Sequence, residues 1–507
     1  MIMKKISLMK LFALIVIFIS SSSLYSQEYQ VTFSAPSDES IVILPVPNLE
    51  IALKSELSLL ANNKKIDSDI TVLNTWHNNE SSKYIRLLSI NISNYKNTEP
   101  APHSTIFSLK WTHDKKALPV KSLPLNTKTY LVYPSKSWLA ESVLLHPRSN
   151  YTDNSWYTQP QSLYANFVTN EALLSEKGYP KSKYSQWLFD RPRAIYQLYI
   201  LGDDPKWLKE GTKLAKFYLK NIDVTGKFKL KDNYDLKYLM PNGLLYYYFL
   251  TGDKQVTNVL KTFYEKSLDW SPTYKNEHDF WTERHQAAAL NIAIAYWEIS
   301  GSIEAKNRID EIIEATVQMV FNPKEGWPLR GCPQHTYKSH EGKAGDSPVC
   351  SPWMMALLSD GLWRYYILNG DKKSAALLSA FGDFMPHYGI HFADDRLKSM
   401  VLPLYLSSMD NKRLQIKNQW TDGQHACDVA TLIGKSLYIK KKTTEDTYIL
   451  QELFNVFVQQ CKDINKKYRN KKHDYLPMLP PRRFGWTYST TSDLPWLESW
   501  LSSDSIK

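Results

Sequence analysis

Between about Val31 and Val132 the apolar residues come in short β-rich runs divided by polar turns: Ser40-Ile-Val-Ile-Leu, Leu57-Ser-Leu-Leu, Ile70-Thr-Val-Leu, Tyr84-Ile-Arg-Leu-Leu-Ser-Ile-Asn-Ile, Ile106-Phe-Ser-Leu-Lys-Trp and Tyr130-Leu-Val-Tyr. Runs of this length and composition predict strands, and their even spacing predicts an antiparallel β-sandwich over residues 27–133. Residues 134–162, rich in Ser, Asn, Pro and aromatics, read as a linker. From residue 163 to 507 the period becomes helical and a plan repeats: a helix ending in aromatic and aliphatic residues, a tight polar turn, then a more charged amphipathic helix. The turns are Tyr199-Ile-Leu-Gly-Asp, Tyr248-Phe-Leu-Thr-Gly-Asp, Trp297-Glu-Ile-Ser-Gly-Ser, Tyr366-Ile-Leu-Asn-Gly-Asp and Tyr438-Ile-Lys-Lys-Lys. Gly202, Gly252, Gly301 and Gly370 fall 50, 49 and 69 residues apart, where glycine suits the left-handed residue that closes a helix and the Asp after it can cap the next.

Hairpins of this kind bury their apolar faces only by stacking side by side, and closure of the stack gives an (α/α) toroid. The expected fold class is therefore α+β and multidomain, an N-terminal antiparallel β-sandwich followed by an (α/α) toroid. The first helix of each hairpin, as in Ala287-Ala-Ala-Leu-Asn-Ile-Ala-Ile-Ala-Tyr-Trp and Trp353-Met-Met-Ala-Leu-Leu, is the more uniformly apolar and belongs inside. Ala305-Lys-Asn-Arg-Ile-Asp-Glu-Ile-Ile, by contrast, belongs outside. Short turns then close one end of the ring. The inner-helix N-termini, with unpaired N–H groups and a positive dipole end, face the other end and mark the expected cleft.

At 507 residues, 43% hydrophobic and 22% charged, the chain is neither disordered, collagenous nor a disulfide-stapled miniprotein. Trp 16 and Tyr 32 against Gly 18 favour ring stacking on flat ligands such as sugars. Lys4 and Lys5, the apolar run Leu11 to Ile19 and the serines 20–23 have the order of a secretory signal peptide over residues 1–26, and no Cys follows to carry a lipid. The run is too short to span a bilayer, so a periplasmic or secreted protein without a stable membrane anchor is expected. The net charge of +11, about +8 once Lys4, Lys5 and Lys10 are removed, favours anionic partners. An exported chain without a Lys/Arg-rich recognition motif argues against nucleic acid. In an oxidising compartment Cys332, Cys350, Cys427 and Cys461 can pair, and Cys332–Cys350 would staple a polar, Gly-containing segment.

At or just before the inner-helix starts stand Asp190, Arg191 and Arg193, then Asn242, then His278, Trp281, Glu283, Arg284 and His285, then Trp353, and finally Trp420, Asp422, His425 and Asp428. The insert before the fourth hairpin adds Arg330, His335, Tyr337, His340 and Glu341. His285 lies one turn into an Ala-rich helix, where a near-neutral imidazole suits a base or a donor, although a core histidine bonded to a carbonyl has the same pattern. Asn242 is equally placed to cap the helix that begins there. Arg482 and Arg483 beside Trp486 and Tyr488 could grip an acidic sugar or clamp the rim. His335 and His340 lack metal-ligand spacing, so no cofactor or resident metal is expected, with a structural ion left open.

Trp281-Thr-Glu-Arg-His-Gln-Ala-Ala-Ala-Leu-Asn, Ala295-Tyr-Trp-Glu-Ile-Ser-Gly, Ser351-Pro-Trp-Met and Asp360-Gly-Leu-Trp-Arg-Tyr-Tyr resemble the inner hairpins of secreted bacterial polysaccharide lyases and related glycosidases built on an (α/α) toroid. Val72-Leu-Asn-Thr-Trp-His-Asn-Asn-Glu-Ser-Ser-Lys-Tyr-Ile-Arg-Leu-Leu is similar to the β-domain of exo-rhamnogalacturonan-lyase-like proteins. The resemblance implies β-elimination on a uronate-containing anionic polysaccharide such as ulvan or rhamnogalacturonan. It implies Asn242 with Arg284 or Arg330 on the carboxylate, His285 as base or neutraliser and Tyr337 as base or acid. Arg191, Arg193, Trp281, Arg330, His335, His340, His425, Arg482, Trp486 and Tyr488 are the expected substrate contacts. A glycoside hydrolase using Asp190, Glu283 and Asp428 is the alternative, and a non-catalytic glycan-binding protein the third.

Overall fold

The computed structural model describes residues 29–35, 41–77, 83–92, 105–112, 117–124, 127–131, 134–146, 154–169, 190–202, 204–230, 235–274, 281–341, 345–392, 401–409, 419–443, 446–469 and 481–504. The expected signal peptide lies outside the described residues.

Strands β1 (Tyr29–Ala35), β2 (Ile41–Pro45), β3 (Glu56–Ala61), β4 (Lys64–Ile66), β5 (Asp69–Thr75), β6 (Ile85–Asn91), β7 (Thr105–Thr112) and β8 (Tyr130–Leu131) form two four-stranded sheets, β1-β7-β3-β4 and β5-β6-β2-β8. Pairing is antiparallel, with Leu59 opposite Leu109 and Leu44 opposite Leu88. The exception is β8, which runs parallel to β2 where an all-antiparallel arrangement was expected. The alternation of apolar positions puts Leu59, Phe107, Leu109 and Trp111 of one sheet in the same buried cluster as Val42, Leu44, Leu88 and Ile90 of the other.

The helices follow in chain order. They are α1 (Lys136–Leu139), α2 (Ser155–Val168), α3 (Arg191–Gly202), α4 (Lys206–Lys220), α5 (Pro241–Thr251), α6 (Gln255–Ser267), α7 (Glu283–Ser300), α8 (Ile303–Phe321), α9 (Tyr337–Glu341), α10 (Pro352–Asn369), α11 (Lys372–Phe384), α12 (Gln419–Lys441), α13 (Tyr448–Arg469), α14 (Pro481–Tyr488) and α15 (Leu494–Asp504). Helices α3, α5, α7, α10, α12 and α14 each pack on the next, and α14 packs back on α3, so the inner ring is closed. Their partners α4, α6, α8, α11 and α13 lie outside, and α2 fills the remaining outer place against α14 and α13. The stretch expected as a linker is thus partly helical. Its amphipathic α2 packs on α3, α13 and α14, joining the two ends of the chain. Inner helices are buried nearly all round, as α5 is from Pro241 to Leu250, whereas α4 and α6 bury one stripe each.

Gly252, Gly301 and Gly370 end their helices with φ of 68°, 67° and 64°. Gly202 is instead the last residue of α3. Two of these turns meet the β-sheets closely: a Cβ on Gly252 would lie 3.1 Å from Ile43 Cδ1 and Leu73 Cδ1, and one on Gly301 2.8 Å from His77 Nδ1. The β-sheets therefore cover the turn end of the ring. A register shift in β5 at Val72 to Thr75 re-aims Asn74, whose Nδ2 donates to Ile299 O at 3.0 Å and Tyr248 Oη at 3.3 Å. Arg86 on β6 reaches between the rings of Trp76 and Phe249, 4.0 Å from each centroid, and donates to Glu298 at 2.6 Å. Arg364 grips the same carboxylate from α10, with Nη2 at 2.8 Å. Burial draws Arg86 down to about 10, which leaves it charged at neutral pH.

Disulfides join Cys332 to Cys350, as expected, and Cys427 to Cys461, which fits an oxidising compartment. Among the described residues no helix is long and apolar enough to cross a membrane. Replacing Cys332 and Cys350 together by Ser is expected to cost about 3 kcal/mol, as for a closed loop of this size. Denaturant unfolding with Cys427–Cys461 intact measures it, and an unchanged midpoint would contradict it.

Candidate active site

With the turn end covered, the inner-helix N-termini surround a pocket of about 540 Å³ of empty space. Asp190, Arg193, Lys237, Asn242, Arg284, Asn291, Asp360, Ser489 and Thr490 are its polar lining, and Leu239, Met240, Pro241, Ala287, Ala288 and Leu357 its apolar lining. The small side chains of Ala287 and Ala288 on α7 leave this room at the ring's centre.

Asp190 joins two inner helices. In the left-handed region at φ 51°, it accepts Arg193 N at 3.2 Å, capping α3, and Gly243 N at 2.8 Å, capping α5. A Cβ on Gly243 would stand 2.2 Å from Asp190 Oδ1, so glycine there is a requirement of close approach. The cap of α5 thus comes from Asp190, and Asn242 is released from that duty. Asn242 is 4% exposed and donates Nδ2 to Asn291 Oδ1 at 3.1 Å. Asn291 directs its own Nδ2 to Ala287 O at 2.9 Å. That bond fixes Asn291 Oδ1 as the acceptor, and with it the orientation of Asn242, whose buried Oδ1 has no hydrogen-bond partner. Burial raises the Asp190 carboxyl above the usual carboxylate range against the opposing pull of the Gly243, Arg193 and Asn242 backbone N–H groups.

Arg193 pairs in bidentate fashion with Asp360, which Lys435 Nζ also approaches at 3.6 Å. Lys435 in turn meets Asp493 at 3.1 Å, and Asp493 meets His146. The pair Arg193–Asp360 is therefore electrically balanced, and the other cations in the lining are Arg284 and Lys237, Lys237 being ion-paired with Asp235.

His285 does not line this pocket. It is 2% exposed, with Nδ1 2.7 Å from Thr282 Oγ1, Nε2 3.1 Å from Asp235 Oδ1, and its ring stacked on Trp270 at 5.4 Å. Both nitrogens are engaged, the pattern of a buried positioning histidine. It secures Asp235, which caps the turn Leu236–Tyr238 and carries Lys237.

The other expected residues divide into groups. At the first turns of α7 and α10, Glu283 accepts Ser351 N at 2.9 Å and lies 3.2 Å from His335 Nδ1. His335 stacks on His340 (5.5 Å), His340 meets Tyr405 edge-on (5.1 Å), Tyr405 stacks on Trp353 (6.1 Å), and Trp353 stacks on His425 (5.1 Å). His425 Nδ1 lies 2.9 Å from Asp428 Oδ2. Trp353 precedes the pocket residue Leu357 by one turn on the same helix face, so this aromatic column stands beside the pocket at its open end. Trp281 is buried against Trp270 at 6.3 Å, Arg191 is buried, and Arg330 is exposed. Tyr337 is half-buried at the start of α9, its N–H bonded to Ser347 O. Tyr488, expected at the rim, is in the core with its hydroxyl donating to Asn465 Oδ1 at 3.2 Å, because α14 is an inner helix. The side chains of Arg482 and Trp486, with Glu341, Trp420 and Asp422, and the whole of His278 lie outside the described residues. Among the described residues no group of His, Cys, Asp and Glu could hold a metal ion.

Sequence reasoning missed Lys237, Asn291, Asp360 and Tyr405. Asn291 lies two turns beyond Arg284 on one face of α7, a spacing that could have found it; Tyr405, from a loop, left no such signal.

Burial pushes His77 and His285 down to about 4 and His425 to about 3, and lowers His340 as well. An unfolded histidine titrates near 6.5. Between pH 6.5 and 4 the unfolded chain therefore takes up protons that the folded one refuses, and stability falls as the pH falls across that window. Unfolding free energies measured from pH 7 to 4 are expected to drop with a slope of more than one proton. His285→Asn should reduce that slope by about one proton near pH 5.

No family model and no curated protein matches this chain. Among solved structures it is similar to an unsaturated glucuronyl hydrolase specific for heparin (12% identity, 69% of this chain and 99% of that one, TM-score 0.45). It is also similar to an α-1,6-mannanase of Salegentibacter sp. HEL1_6, in an inactive variant bound to α-1,6-mannotetrose (12% identity, 68% and 100%, TM-score 0.43). A polysaccharide lyase follows (11% identity, 66% and 98%, TM-score 0.40). Likenesses of this degree carry no argument about activity, which rests on the pocket.

Proposed function

We propose that this protein is an enzyme that cleaves a uronate-containing polysaccharide by β-elimination in the pocket at the open end of the ring. The observation that carries this reading is Asn242 Oδ1, buried and without a partner in a wall shared with Arg284 and Lys237. A sugar carboxylate placed there has cations to offset its charge. As the C5 proton leaves, the carboxylate takes on enediolate character; Lys237 lends one of its oxygens a proton, which that oxygen shares with Asn242 Oδ1 and returns to Lys237 when the double bond has formed. The C5–H electrons form the C4–C5 double bond, the C4–O bond breaks, and the departing oxygen is protonated. Tyr405, which stands between His340 and His425 in the aromatic column beside α10 and does not itself line the pocket, is assigned the movement of those protons, in the role that the resemblance implies for Tyr337. His285 acts from behind, through Asp235 and Lys237.

A specific observation favours hydrolysis as the second reading: burial holds the Asp190 carboxyl toward its protonated form in the same pocket, as a general acid requires. Incubation with a panel of acidic and neutral polysaccharides separates the two. Elimination produces new reducing ends together with the ultraviolet absorbance of a conjugated double bond, on an acidic glycan only. Reducing ends without that absorbance would replace elimination by hydrolysis, and neither product from any glycan of the panel would overturn the enzymatic reading.

A further inference from the structure

A second concavity, with about 1200 Å³ of empty space, opens at the turn end of the ring. It lies between residues 127–129, which precede β8, and the outer helix α4, with the end of α5 and the start of α6 as its floor. Asn242 and Thr251 are the near and far ends of α5, about 14 Å apart at 1.5 Å per residue, so this groove is separate from the pocket described above.

Its chemistry is cationic and hydroxylic. Lys128 stands on one wall and Lys216 and Lys220 on the other, all exposed, and Thr127, Thr129, Thr212, Thr251 and Gln255 add neutral polar groups. Among the described residues that line it the carboxylate is Asp253, and both its oxygens are engaged: Oδ2 accepts Tyr247 Oη at 2.8 Å and Oδ1 accepts Gln255 N at 2.9 Å. Lys216 and Lys220 are one turn apart on the solvent side of α4, a helix that also carries Lys206, Lys209 and Lys213 against Glu210. The positive field is thus concentrated on this outer helix and extends across the groove to Lys128.

We infer that this groove is an auxiliary binding site for an acidic polysaccharide chain, one that anchors polymer on the far side of the ring from the pocket. A small anion held in a built cradle would meet converging donors. Here the amines are set along two walls, an arrangement that suits a polyanion making several separate, salt-sensitive contacts. The choice of a glycan over other polyanions rests on the proposed function; the site itself does not.

The test compares the full chain with Lys128→Gln/Lys216→Gln/Lys220→Gln by affinity electrophoresis in gels containing polygalacturonate, dextran sulfate or neutral dextran, at low and moderate salt. The variant is expected to bind the charged polymers at least about tenfold more weakly, to lose about one unit of salt slope per lysine removed, and to match the parent in neutral dextran. Cleavage of short acidic oligosaccharides, which occupy the pocket alone, is expected to be unchanged. Equal retardation of parent and variant in the charged gels would overturn the groove, and double-stranded DNA bound as tightly as the acidic glycans would overturn its assignment to glycan. A parent chain that cleaves no glycan, yet loses polymer binding on substitution, would remove the proposed function and leave the groove standing.

Discussion

Asn242→Ala is expected to lower kcat on an acidic glycan by about 10²–10³-fold, the scale for losing one preorganised group that meets charge developing in the transition state. KM should change far less, because the unpartnered Oδ1 finds its donor only when the carboxylate gains a proton during reaction. The fold should survive, since α5 is capped by Asp190 and not by Asn242, and the melting temperature checks this. Arg284→Ala should raise KM as well, a cation being felt by the ground-state carboxylate. Full activity in Asn242→Ala would remove the pocket's claim to elimination. A loss confined to KM would reduce Asn242 to a sugar-binding group and shift the argument toward Asp190.

The second large effect concerns stability. Glu298→Ala is expected to cost about 3–5 kcal/mol, because it leaves Arg86 and Arg364 buried together without the carboxylate that compensates both. The triad ties β6 to the ring, so the loss should appear as a lower unfolding midpoint, read by denaturant unfolding, and as faster proteolysis near residues 117–124. Arg86→Met, which removes a charge along with its desolvation cost and keeps the stem between Trp76 and Phe249, should be milder. Equal destabilisation by the two substitutions would contradict the electrostatic account.

Much of the ring was legible along the chain because an inner helix must be apolar all round and a hairpin must turn within a few residues. Ala287 to Trp297 and the glycines at 252, 301 and 370 therefore announced both element and turn. The strands from Ile41 to Leu131 were legible for the same reason, since alternation is forced wherever one face is buried. Short elements without a period were not: β4 is a brief edge strand, and α2 sits in a stretch whose Pro160 and polar residues resembled a connector. Individual site residues were less legible than their address. The rule that polar groups at inner-helix starts gather at one end led to Asn242 and Arg284, but the same rule embraced His285, whose nitrogens are occupied, and Tyr488, which is buried.

By itself the sequence determined which of the longer periodic segments are helix or strand, which helix faces inward and at which end of the ring polar side chains collect, because hydrophobic period and turn chemistry are local properties. Only the tertiary structure decided that the ring closes through α2 and α14, that Asp190 caps α5 and frees Asn242, that Glu298 is shared by arginines of β6 and α10, and that Tyr405 stands among histidines. Each of those depends on side chains brought together from distant parts of the chain, and the spacing of residues along it holds no record of such meetings.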